Sequence, residues 1–373
     1  MTTEQPLQLL GGLSPAQFMK KHWHKKPLLI RQAIPGFKPF LSRAELQALA
    51  LQDDVEARVI VQHDEGWTLQ RSPLAKKHFP KLSQPRWTFL VQGVDLHNDQ
   101  AHALARQFRW VPDARLDDLM ISYATDGGGV GPHFDSYDVF LLQAHGRRHW
   151  RIGRVPQPEL QEGVPLKILT NFVPEEEHVL EPGDMLYLPP GWAHDGIAEG
   201  ECMTYSIGFR SPHRTELARE VMLRWLEGLE APEDDPIYRD PKQVAVDEPG
   251  RMPAELQSFA REGLMQLLKD PVALDRALGE YMTEPKPQVW FPIAEADDVG
   301  VGVALDRRTR MSYDARHVFI NGESFVAGGT DFRLMRQLAD SRSLPAAGVK
   351  KLSEGARDLL QQWADDGWVV VQG

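Results

Sequence analysis

Cysteine is almost absent: one residue, Cys202, in a chain of 373. A single thiol excludes an intramolecular disulfide framework and fits a reducing compartment. Long apolar runs are absent too. None approaches the roughly 18 residues that span a bilayer, so no membrane helix is expected. The opening stretch MTTEQPLQLLGG lacks a basic region followed by an apolar core, so no secretory leader is expected. These absences together predict a cytoplasmic protein. Basic residues are outnumbered, 42 against 53 acidic, giving a formal net charge of −11. That excludes phosphate-backbone binding over the whole surface and favours a basic partner, because opposite fields accelerate encounter. No repeat or low-complexity tract stands out.

What is present is the composition of a globular protein, 42% hydrophobic and 25% charged. The length exceeds one ordinary domain and predicts two or three modules. Residues 1–212 hold short strand-like runs between Gly and Pro, among them PLLIR at 27–31, WTFLV at 87–91, 119–123 and 185–188. That spacing predicts an all-β sandwich or barrel. Residues 213–286 change character. TELAREVMLRWLEGLE at 215–230 has helical periodicity, with Thr215 as N-cap. A linker rich in Pro and acidic residues spans 231–253, and two further amphipathic helices are split at Pro271. Such helices cannot bury a large core alone, so they either pad the barrel or pair with a second copy. Residues 287–373 are mixed: Asn321-Gly322 between apolar runs predicts a hairpin, followed by two helices and a strand in GWVVVQG. This pattern suggests a winged-helix module. From Trp290 onward it carries about ten basic against about twelve acidic residues, which argues against direct DNA binding and for a structural or protein-contact role.

The chemistry concentrates at His133-Phe134-Asp135, in GGGVGPHFDSYDVFLLQ, and at His194, which closes EPGDMLYLPPGWAHDG. On a strand, positions i and i+2 point the same way, so His133, Asp135 and Tyr137 are expected on one face. Two imidazoles and one carboxylate make the facial triad of non-haem Fe(II) oxygenases, with the opposite metal face left for a co-substrate and dioxygen. HxD triplets also arise by chance. His97-Asn98-Asp99 is such a decoy: its flanks are polar, a helix-like run follows, and Asp99 reads as that helix's N-cap. His22-Trp23-His24 lacks a carboxylate, sits among lysines and reads as surface. Arg148, in AHGRRHWRIG, is expected to return beside the metal strand through a hairpin-like turn at 143–146. There its guanidinium could hold a distal carboxylate by two parallel hydrogen bonds, whereas alone it would read as part of a solvated basic cluster. Gly127-Gly128-Gly129 permits close approach to a ligand or forms a loop tip. It is no phosphate loop, because no lysine and helix start follow. Strand phase also sets Asp118, Met120, Ser122 and Ala124 on one face. Asp118 and Tyr137 would suit a cationic side chain, by carboxylate pairing and by stacking. The plainer reading of Asp118 is a strand-end carboxylate in water.

The HxD, the basic residue after it and PGDMLYLPPGWAH resemble the JmjC/cupin family of 2-oxoglutarate oxygenases. Within it, FMKKHWHKKPLLIRQA, DDLMISYATDGGGVGPHFDSYDVFLLQAHGRRHWRIG and MTYSIGFRSP are similar to the bacterial ribosomal oxygenase branch, and the likeness continues through the C-terminal part. The resemblance implies a double-stranded β-helix (a jelly roll) followed by a helical dimerisation region and a winged-helix-like α+β domain, in a homodimer. It implies Fe(II), 2-oxoglutarate and dioxygen as reactants, with Ser122 and Thr204 joining Arg148 at the co-substrate; the family often has Asn at the Thr204 position. It further implies hydroxylation, at Cβ, of an arginine in a large-subunit ribosomal protein, the sixteenth of its series, with release of succinate and carbon dioxide. Histidyl hydroxylation of a ribosomal protein, a non-oxidative metal-binding cupin and a DNA-binding regulator with a vestigial barrel remain as alternatives.

Overall fold

The computed structural model describes residues 2–229, 234–245, 247 and 250–372. The linker expected at 231–253 therefore lies partly outside the described residues. The chain forms two compact units: Met1–Ser211 with Pro287–Trp290, and Pro212–Lys286 with Phe291–Gly373.

The first unit is built on the strands β1 (Leu28–Ile30), β2 (Ala57–His63), β3 (Gly66–Arg71), β4 (Trp87–Val91), β5 (Leu116–Ala124), β6 (His133–Phe134), β7 (Val139–Arg154), β8 (Glu176–Leu180), β9 (Met185–Leu188) and β10 (Trp192–Phe209). They form one sheet in the order β1-β9-β7-β10-β5-β4-β2-β3, with β6 on β10 and β8 on β7. Alternation along the strands separates two main apolar clusters. On β5, Leu119, Ile121 and Tyr123 join Phe18, Leu46 and Leu104 from the helices α1 (Pro15–Lys21), α2 (Arg43–Ala50) and α3 (Asp99–Ala105). The smaller cluster holds Val139, Leu141, Trp150, Ile152, Leu180, Leu186 and Leu188.

The hairpin expected at 143–146 does not form. Strand β7 continues past it, antiparallel to β10. The register shifts instead, between Glu199 and Met203 and again between Met203 and Thr204, opposite the Gly146 region. A bulge bends a strand without reversing it, because its extra residues leave the ladder. Arg148 thus stays on the same strand as Val139, one bend farther on. Three smaller expectations also shift. Asn98, not Asp99, caps α3, its side chain accepting from the Gln100 and Ala101 amides. His22 and Trp23 are buried rather than surface: both pack on Phe18, and the Pro27 carbonyl lies 3.2 Å from His22 Nδ1. An amphipathic α1 carries its apolar face beyond its last turn, which a local reading of charged neighbours misses. Tyr137 lies past the short β6 rather than on it.

The second unit opens with α4 (Arg214–Glu227), α5 (Ala254–Leu267) and α6 (Pro271–Thr283). The cap of α4 is His213, whose amide donates to Glu216, so the helix starts before Thr215. Pro271 occupies the first turn of α6, where its missing N–H costs nothing, and Asp270 caps it. Then follow β11 (Gly302–Leu305), β12 (Met311–Tyr313), β13 (His317–Ile320), β14 (Glu323–Val326), α7 (Gly329–Ser341), β15 (Ser343–Pro345), α8 (Ala346–Val349), α9 (Glu354–Asp365) and β16 (Val369–Val371). Asn321 and Gly322, both with positive φ, close the β13–β14 hairpin as expected. Leu334, Leu338, Leu360 and Trp363 centre the unit's core. No helix among the described residues is long and apolar enough to cross a membrane.

Candidate active site

Strand pairing brings the two histidines together. His133 on β6 lies opposite His194 on β10, and their ring centroids are 4.3 Å apart. Asp135 follows β6 immediately, and its carbonyl accepts from the Gly191 amide at 2.8 Å, which ties the ligand loop to the turn before β10. The candidate ligand atoms of His133, Asp135 and His194 all lie within 4.8 Å of one another, the one such cluster among the described residues. His194 Nε2 is 3.7 Å from an Asp135 oxygen.

The tautomers suit a metal. His133 Nδ1 is 2.8 Å from the Gly131 carbonyl, and His194 Nδ1 is 3.1 Å from the Trp192 carbonyl. A carbonyl only accepts, so both Nδ1 atoms carry the proton and both Nε2 lone pairs face the cluster. Carbonyl partners of this kind orient metal-ligating imidazoles. Burial, and next the neighbouring His133, lower the His194 pKa to about 4, so the ring is neutral at pH 7. The donor set of two imidazoles and one carboxylate fits Fe(II) with positions left open.

Beside this cluster lies a buried cation. Arg148 is 3% exposed, and among the described residues no carboxylate pairs with it. Its Nη1 donates to Ser122 Oγ at 3.3 Å and Thr204 Oγ1 at 3.4 Å, and its Nη2 to the Gly196 carbonyl at 3.0 Å. Its Nε is buried and has no hydrogen-bond partner among the described residues. Thr204 and Ser122 are opposite each other across β10 and β5, which explains why residues far apart in sequence meet one guanidinium. The site is shaped to hold this side chain: a Cβ on Gly196 would lie 2.8 Å from Arg148 Nε and 2.6 Å from the Trp150 ring. An unpaired buried guanidinium is costly, so this pocket fits an anionic group such as the distal carboxylate of 2-oxoglutarate.

Asp118 and Tyr137 flank Gly208. A Cβ there would sit 3.7 Å from Asp118 Oδ1 and 4.0 Å from Tyr137 Cε2. Burial, then the Asp135 and Asp118 carboxylates, hold the Tyr137 hydroxyl above its ordinary pKa. Asp118 is buried, and its Oδ2 accepts from the Gly93 amide at 2.8 Å, so it is no solvated strand end. The decoy residues His97 and Asp99 stay outside the cluster.

Two residues escaped the sequence reading. Gln143 is fully buried; it accepts from Thr204 Oγ1 at 3.1 Å and donates to the His145 carbonyl at 2.8 Å across the β7 bend. The signal was a lone amide inside VFLLQA. Trp150 lies against both Arg148, 5.1 Å from its guanidinium carbon, and the His194 ring, at 5.8 Å. A single tryptophan in a strand carries no sign of what it packs on.

Comparison with known proteins agrees with this geometry. The JmjC domain profile matches residues 103–217, and that of a ROXA-like winged helix matches residues 266–369. The chain is 35% identical over 283 residues to ribosomal protein uL16 3-hydroxylase of Escherichia coli, covering 73% of this chain and 72% of that protein. It resembles the crystal structure of Escherichia coli ycfD with a TM-score of 0.82 at 29% identity, over 96% of this chain and 98% of that one. A further structure of that ribosomal oxygenase, in complex with cobalt and 2-oxoglutarate, matches with a TM-score of 0.76 at 29% identity, over 97% and 99% of the two chains. A jelly-roll sheet carrying this metal-ligand cluster, followed by a winged helix, places the chain in the JmjC-domain family of ribosomal oxygenases.

Proposed function

We propose that this protein is an Fe(II)- and 2-oxoglutarate-dependent oxygenase that hydroxylates an arginine, at Cβ, of ribosomal protein uL16 in the cytoplasm. The observation that carries the reading is the His133–Asp135–His194 cluster beside a buried Arg148 that has no carboxylate partner among the described residues. Its relative in Escherichia coli is named for 3-hydroxylation of uL16, and a solved relative holds cobalt and 2-oxoglutarate.

His133, Asp135 and His194 would hold the iron. When bound, the metal supplies the redox chemistry that couples decarboxylation of 2-oxoglutarate to oxidation of an unactivated C–H bond, giving succinate, carbon dioxide and an alcohol. Arg148 binds the distal carboxylate of the co-substrate with a planar fork, assisted by Ser122 and Thr204. The Trp150 ring and the apolar cluster behind it keep water from that ion pair, which strengthens it. Asp118 and Tyr137 receive the substrate guanidinium, one by charge and the other by packing, and thereby present the carbon nearer the substrate backbone to the metal. The net charge of −11 favours approach of a basic ribosomal protein. The exposed apolar residues of α4 and α5, including Leu223, Leu226, Leu264 and Met265, support a homodimer through these helices.

The test is incubation with Fe(II), 2-oxoglutarate, dioxygen and a uL16 loop peptide. One added oxygen on arginine with matching succinate is expected. Oxygen on histidine would assign the histidyl reaction, and metal binding without succinate a non-oxidative cupin.

A further inference from the structure

The orientation of His133 depends on the Gly131 carbonyl, which lies 2.8 Å from its Nδ1. What holds that carbonyl is itself unusual. Gly131 has φ of +76°, a conformation that side-chain-bearing residues rarely adopt. A Cβ on it would lie 2.7 Å from Ile168 Cδ1 and 2.9 Å from Trp67 Cζ2. Ile168 is 5% exposed and belongs to the segment between β7 and β8; Trp67 belongs to β3. The segment is tied to the metal loop directly, because the Leu169 amide donates to the Pro132 carbonyl at 2.8 Å. It is also closed on itself: the Gln161 amide donates to the Ile168 carbonyl at 2.8 Å, and Leu160 bridges to Leu169.

We infer that the segment around Ile168, with Trp67, is a brace that positions the metal ligand His133. Ile168 and Trp67 close on Gly131 from two separate elements, and Leu169 fixes the next peptide. The Gly131 carbonyl is thereby aimed at Nδ1, and Nε2 is left directed at the metal. Ile168 and Trp67 touch no reacting atom; they act through the backbone. The inference rests on His133 being a metal ligand, as in the reading above.

Mn(II) affinity measured by electron paramagnetic resonance, without turnover, tests it on the full chain. Removal of an outer hydrogen-bond partner of a metal ligand weakens metal binding by about tenfold or more; Ile168→Ala leaves the Gly131 carbonyl present but unbraced, so a loss of up to about tenfold is expected. Ile168→Leu, which keeps a δ-methyl able to reach Gly131, should recover most of it. Val164→Ala is the control: Val164 lies on the same segment but packs toward Gly66 of β3, not Gly131. It should bind Mn(II) as the parent does. Thermal melts accompany each variant, and a melting shift shared by Ile168→Ala and Val164→Ala must not be matched by shared affinity loss. Wild-type affinity in folded Ile168→Ala, or equal losses in both alanine variants, overturns the brace. A parent protein that binds no Mn(II) instead overturns the metal site itself.

Discussion

Asp135 is the one charged ligand in the metal cluster, so removing it should be decisive. Asp135→Ala is expected to abolish Mn(II) binding and turnover while circular dichroism stays unchanged, since Asp135 lies beyond β6 and contributes its backbone carbonyl, not its side chain, to Gly191. Turnover surviving in iron-free Asp135→Ala protein would remove the metal from the mechanism. Arg148→Ala should weaken 2-oxoglutarate binding by roughly 2–4 kcal/mol, the cost of stranding a desolvated charge. Arg148→Lys should restore only part, because an ammonium cannot form the fork to a carboxylate. Calorimetry with the Mn(II) protein reads both, and unchanged affinity would reassign Arg148 to a packing role over Trp150. For the substrate, Asp118→Asn is the cleaner change, since an amide still accepts from Gly93 while the charge is gone. It should cost about 2–5 kcal/mol in kcat/KM for an arginine peptide, as for one partner of a desolvated pair, and leave 2-oxoglutarate affinity intact.

At the scale of elements, one carboxylate ties the end of β1 to the turn before β9, beside the ladder that pairs the two strands. Asp184 accepts from the Gln32 amide at 2.9 Å, from Arg31 at 2.6 Å and from the Glu181 amide at 3.2 Å. Burial acts to raise its pKa, but the Gln32 amide and Arg31 outweigh it and hold the group below the usual value. A depressed carboxylate stabilises the fold above its unfolded pKa, and that contribution is lost as pH falls through the lower folded value. Asp184→Ala should therefore lower stability by about 1–3 kcal/mol, because backbone donors lose their acceptor. Urea unfolding at pH 7 measures this, and the gap between parent and variant should narrow in strong acid. A gap independent of pH would mean that Asp184 acts by packing. The β7–β10 bend belongs to the same scale: it carries Gln143, Arg148 and Thr204 into one pocket, so Gln143→Leu should disturb co-substrate binding more than metal binding.

For the whole molecule, the open matter is assembly. Helix α5 has no buried residue in the single chain, and Leu264 and Met265 are exposed at 46% and 61%. Exposed apolar faces of this kind mark interfaces. Glutamate at both positions should convert the proposed homodimer to a monomer in sedimentation at micromolar concentration. A wild-type monomer there would end the dimer proposal. In the winged-helix module acidic residues outnumber basic ones, a net charge that does not favour approach to duplex DNA.

The candidate metal cluster could be read from the chain before it folds. His133, Asp135 and His194 were legible because metal coordination tolerates few residue types and the two motifs that carry them are local. Strands such as 185–188 and the Asn321-Gly322 hairpin were legible because short apolar runs bounded by Gly and Pro, and left-handed turns, are local properties. Tertiary structure decided the rest. A run such as VFLLQAHGRRHWRIG encodes its faces but not its curvature, so in sequence a bend looks the same as a reversal. Burial of Trp23, the roles of Gln143 and Trp150, and the closing of Ile168 and Trp67 on Gly131 all depend on what lies across the fold. Packing partners distant in sequence leave no periodic trace in either segment, and only the folded sheet brings them within reach of one another.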